Sequence, residues 1–94
     1  MSALTTPVTL LNAVVATGAS TAVQADAGQP AFLQVSGINV GTVAFQGSLD
    51  GTTFATIGTA LTADGIVTIA NAPKYLRANC TAYTSGTITA KVLY

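Results

Sequence analysis

With 94 residues, three cationic and three acidic side chains, no His, no Trp and a formal net charge of zero, the chain excludes most chemistry that depends on charge. A catalytic triad lacks its usual base, paired-carboxylate chemistry is left with three Asp and no Glu, and three cations are too few to follow a phosphate backbone. A chain of this length buries only about 60 to 65% of its unfolded surface, so one domain with one thin core is expected.

In chain order, residues 1–6 lead up to Pro7 and form a candidate flexible N-terminal arm that orders on docking, while residues 7–94 read as a single β-sandwich domain. The start lacks the positive region of a signal peptide, which predicts synthesis in the cytoplasm, and Met1 suggests a complete gene product. The longest nearly unbroken apolar stretch, residues 10–16, is interrupted by Asn12 and falls far short of the ~20 residues a membrane span needs. No membrane partner is expected.

Apolar, Thr-rich runs alternate with turn chemistry, and no segment keeps a helical period. Strands are predicted over residues 7–15, 20–24, 31–36, 42–48, 54–61, 65–70, 75–83 and 87–94. About eight short strands give an all-β fold, an antiparallel, jelly-roll-like β-sandwich. With 16 Thr and 17 Ala, the strands have β-suited outer faces and small inward side chains, hence a thin sandwich. The large core candidates are Phe32 or Leu33, Val35, Val43, Phe45, Phe54, Ile57, Leu61, Val67, Ile69, Leu76 and Val92. Asp26, Asp50 and Asp64 each stand beside or two residues before a Gly, which assigns them to turns. No dense array of acids suggests a metal site, and no cofactor is expected.

The last two predicted strands can be placed in register. A three-residue loop, Thr84-Ser85-Gly86, would set Tyr83 against Thr87, Ala82 against Ile88, Cys80 against Ala90, Ala78 against Val92 and Leu76 against Tyr94. Every apolar position then meets another, with Gly86 at the left-handed position of the turn. The inward face would hold Leu76, Ala78, Cys80, Ala82, Ile88, Ala90 and Val92, leaving Cys80 a small buried hydrophobe and not a reactive thiol. The outward face would gather Tyr75, Arg77, Asn79, Tyr83 and Lys91, with Arg77 close to Lys91. Tyr and Arg are enriched at protein interfaces, so these five residues form the candidate interface. A folded chain this poor in charge is prone to associate, which predicts a homo-oligomer.

The segment Val43-Ala-Phe-Gln-Gly-Ser-Leu-Asp-Gly-Thr-Thr-Phe54, followed by Lys74-Tyr-Leu-Arg77 and the terminal Ser85-Gly-Thr87, resembles small β-sandwich structural proteins of tailed bacteriophages. The resemblance covers roughly the C-terminal half, and Phe54 stands where many such proteins carry Trp. It implies a virion component, most like a capsid decoration (cement) protein. Its partners would be the major capsid protein and copies of itself, with a trimer expected because such proteins often sit at local threefold positions. It would act at the capsid surface, with no enzymatic activity and no nucleic-acid partner. The alternatives are a tail or baseplate accessory protein and a carbohydrate-binding β-sandwich module. The sequence argues against sugar binding: with no Trp, only Tyr75, Tyr83 and Tyr94 remain as a platform, and Tyr94 would point inward in the hairpin register.

Overall fold

The computed structural model describes residues 7–25 and 27–94; the candidate arm at residues 1–6 and the turn role of Asp26 lie outside them. The described residues contain no helix. Their strands are β1 (Val8–Val14), β2 (Gly18–Ala19), β3 (Val23–Gln24), β4 (Ala31–Ser48), β5 (Ala55–Thr56), β6 (Gly65–Ile69) and β7 (Tyr75–Leu93). All are joined in one antiparallel sheet.

Two strands carry the architecture. β4 and β7 pair from Phe32↔Leu93 to Ser48↔Tyr75 as one antiparallel ribbon. An 18-residue strand drawn straight would run roughly 60 Å, yet the longest dimension of the molecule is 37 Å. The ribbon must therefore bend, and the register shows where. Its irregularities cluster between Ser36 and Val43, around the pairs Ile38↔Gly86 and Val40↔Ser85. Gly37 and Gly86 both adopt positive φ, +82° and +116°. A Cβ at Gly37 would collide with the carbonyl oxygen of Thr87, and one at Gly86 with the carbonyl oxygen of Gly37. The two strands thus approach at the bend as closely as glycine permits.

Side chains stitch this corner. Asp64 Oδ1 accepts the Ile38 N–H at 2.9 Å, Asn39 Nδ2 donates to Ser85 Oγ at 2.9 Å, and the Tyr83 hydroxyl donates to the Gly86 carbonyl at 2.6 Å. Beyond it, residues 31–36 of β4 and 87–93 of β7 form one half-sheet, flanked by β6 on one side and β1 on the other. Residues 41–48 and 75–83 form a second, flanked by β5 and a Val43↔Leu61 bridge on one side and by β2 and β3 on the other. The first half-sheet supplies Ala31, Leu33, Val35, Ile88, Ala90 and Val92 to the core. The second supplies Val43, Phe45, Leu76, Ala78 and Cys80, and all belong to one buried cluster. The fold is all-β and sandwich-like.

The expected terminal hairpin does not form. Thr84-Ser85-Gly86 is the corner of β7 and no turn; Cys80 pairs with Val43, Ala78 with Phe45, Ala90 with Val35 and Val92 with Leu33. The physical reason lies in parity. A three-residue loop returns even-numbered residues to the same face that they would occupy in one continuous strand, so alternation alone does not distinguish the two. The partner decides: β4 offers Val35, Val43 and Phe45 to the small Ala90, Cys80 and Ala78 side chains of β7, and large against small fills a core better than small against small. Residues 37–41, left between the predicted strands 31–36 and 42–48, lie inside β4.

Two residues also change face. Between Val43↔Cys80 and Thr42↔Ala82, β7 carries Thr81 as an extra residue. That bulge flips the alternation, so Ala82 is exposed and Tyr83, expected on the outer face, packs against the core cluster. Of Phe32 and Leu33, Leu33 is the buried one. The predicted strand at 20–24 becomes two short pairings, with Ser20 bridging to Ala78 through both its N–H (2.7 Å) and its Oγ (3.0 Å). The strand expected over 54–61 shrinks to β5, interrupted by Gly58 at φ +66°.

Candidate interaction face

The outer face of the second half-sheet is organised by the loop that leaves β4. Ser48 is buried, and its Oγ accepts the N–H groups of Asp50 (3.2 Å) and Gly51 (2.9 Å) while its hydroxyl donates to Asp50 Oδ1 at 2.8 Å. The same carboxylate oxygen accepts from Thr52 N (2.8 Å) and Thr53 N (2.9 Å). These bonds to the charged form, led by Thr53 and Thr52, lower the Asp50 pKa from 3.8 to about 2. Asp50 is therefore a turn-former, as expected. Asp64 does a different job: its carboxylate reaches the corner 26 residues away in sequence.

This loop delivers Phe54 to the sheet surface. Gln46 and Arg77 are cross-strand partners; Arg77 Nε donates to Gln46 Oε1 at 2.8 Å, and the guanidinium lies 4.0 Å from the centroid of the Phe54 ring. Stacking on an aromatic face and the hydrogen bond that Nε–H donates hold the guanidinium plane in one orientation. Among the described residues Arg77 forms no ion pair, and its one hydrogen bond uses Nε, leaving the terminal nitrogens as donors. Tyr75 is half-buried, its ring against Gly51, and Lys74 Nζ sits 5.7 Å from the Tyr75 centroid. Asn79 is half-buried on the same strand, paired with Ala44 and Ala19.

The five expected interface residues therefore separate. Tyr75, Arg77 and Asn79 stay together. Tyr83 belongs to the corner and the core. Lys91 is exposed in the first half-sheet, paired with Gln34 and Thr9, so it is not the neighbour of Arg77 that a hairpin would make it. Phe54 and Gln46 join the face instead. Gln46 was legible as an outward residue beside Phe45 in a strand; Phe54, placed in the core by hydrophobicity, carried no signal for its stack under Arg77.

Cys80 is buried, its Sγ 3.4 Å from the Ala82 carbonyl, and burial pushes its pKa up. It lies on the inner side of the sheet and contributes nothing to this face. Among the described residues no three His, Cys, Asp or Glu side chains gather into a metal-binding group, and no helix is long and apolar enough to cross a membrane. Comparison with protein-family models, with curated proteins and with solved structures finds no match to this chain.

Proposed function

We propose that this chain is a non-enzymatic virion structural protein of a tailed phage, a decoration protein that binds the outer surface of the capsid shell and stabilises it. The observation that carries the reading is the Arg77 stack. In a chain with only three cations, one guanidinium is pre-oriented by Phe54 and Gln46 on a rigid sheet face, beside half-buried Tyr75 and Asn79. Pre-ordered Arg and Tyr supply donors and contact area at low entropic cost, the properties of an interface anchor. The fitting partner surface offers carboxylates or backbone carbonyls. The resemblance of residues 43–54 and 74–92 to phage structural proteins supports the setting, and the low charge suits close packing of many copies.

A protein that binds only the assembled shell stabilises it by mass action, by about 2.7 kcal/mol per site at a hundredfold excess over Kd. Mixing purified protein with expanded, undecorated shells should give saturable binding at fixed stoichiometry and greater heat resistance; shells that neither bind it nor gain heat resistance would sink the proposal. Binding to tails or baseplates instead would favour the accessory-protein alternative. The carbohydrate alternative is weakened by the Phe54 ring, which lies under Arg77 and offers no open stacking platform on that side.

A further inference from the structure

The sheet has several edges, and one differs from the rest. β1 is interrupted by register shifts between Thr9 and Leu11 and between Leu11 and Val14, with Ala13 at φ +51°. β2, β3 and β5 are two residues each. Bulges and short strands are devices that blunt an edge against pairing. β6 has neither. It holds five consecutive pairs with β4, Gly65↔Val35 to Ile69↔Ala31, without a shift, and among the described residues it pairs with β4 alone. It contains no Pro and no charge, and its outward Ile66 is 66% exposed. Ile66 adjoins a shallow apolar groove shared with Pro7, Phe32 and Leu93.

From this contrast we infer that β6 is a self-association edge: two copies of the chain pair their β6 strands antiparallel across a twofold axis at Val67, joining two first half-sheets into one continuous sheet. The edge presents N–H and C=O groups whose complement is another extended strand. A second copy satisfies it without electrostatic cost. With Val67 on the axis, Ile66 faces Thr68 of the partner subunit and Gly65 faces Ile69 of the partner subunit. The two Asp64 carboxylates then lie about 20 Å apart along the strands, well beyond the ~8 Å screening length at physiological salt. Parallel pairing would instead set the two Asp64 side by side. The Lys91 side chains, two strands in from the edge, are separated by five strand spacings, about 24 Å. The arrangement is twofold, unlike the threefold one that the phage resemblance implies, and it stands whether or not the chain binds a shell.

The test is sedimentation of the full chain up to about 1 mM, with hydrogen exchange of the β6 amides measured at both ends of the range. The expected result is a monomer–dimer equilibrium, with β6 protection rising with concentration while β1 protection does not. Ile66→Lys places two cations within about 7 Å of each other at the pairing and should weaken the dimer at least tenfold, whereas Ala22→Lys, exposed between β2 and β3, should not. If Ile66→Lys fails to fold, a mixture of Ile66→Cys and Thr68→Cys proteins should form a disulfide-linked heterodimer on oxidation, because cross-strand partners bring their Cβ atoms to about 5 Å. A chain monomeric throughout, a trimer, a dimer indifferent to Ile66→Lys, or β6 protection independent of concentration would each overturn the inference, the last by placing a segment of the same chain on the edge.

Discussion

Gly37 and Gly28 offer a matched pair for testing the bent ribbon. Their φ values are +82° and +84°, both in the left-handed region that alanine enters at a cost of about 1–2 kcal/mol. Their surroundings differ completely. A Cβ at Gly28 has no heavy atom within 4 Å beyond its chain neighbours, while one at Gly37 runs into the backbone carbonyl of Thr87. That carbonyl is fixed in the ribbon, so relief requires parting β4 from β7 where Asp64, Asn39 and Tyr83 already hold the corner. Gly28→Ala should therefore cost about 1–2 kcal/mol, which lowers Tm by roughly 5–15 °C in a domain of this size. Gly37→Ala should cost about 4 kcal/mol or more, the range reached when strain and lost buried pairing combine. Urea unfolding followed by far-UV circular dichroism reads both midpoints. Equal losses in the two variants would refute the close approach at the corner and favour residues 37–39 as an ordinary turn.

Other outcomes follow from the core and the loop. Phe45 is 2% exposed at the centre of the cluster, so Phe45→Ala should lose about 3–5 kcal/mol of stability by the same urea assay. Asp50 is bound more tightly as the carboxylate in the folded chain, so its contribution is present above pH 3.8 and disappears as pH falls toward about 2; Asp50→Asn should flatten the acid limb of the stability profile between those values. Cys80 is buried with a raised pKa, so a thiol reagent should label it in urea far faster than in buffer, and equal rates would contradict its burial.

The sequence made the faces of the strands legible but not their partners. Leu76, Ala78, Cys80, Ile88, Ala90 and Val92 alternate, and all six are buried. The same parity suits a hairpin and a continuous strand, so the choice rested on long-range packing against β4, which no local pattern encodes. Ala82 and Tyr83 exchanged faces because of the extra residue Thr81, and nothing in Cys80-Thr-Ala-Tyr83 marks a bulge. The Asp50-Gly51 turn was readable because its hydrogen bonds are local, whereas the reach of Asp64 to Ile38 depends on how β6 lies beside β4. On the candidate face, Tyr75, Arg77 and Asn79 followed from alternation on one strand. Lys91 was grouped with them only through the hairpin, and it left the group when the ribbon replaced it.

The proposed docking of the Arg77 face on a capsid shell can be tested directly on shells. Its most direct measurement is a binding titration of undecorated shells with the parent protein and with Arg77→Glu, both first shown folded by equal urea midpoints within about 1 kcal/mol, as for a surface substitution. The parent should bind saturably and the variant should lose at least tenfold in affinity, as expected when an interface anchor reverses its charge. Equal binding of the two proteins would remove Arg77 from the contact, and absence of binding by the parent would contradict the proposed function.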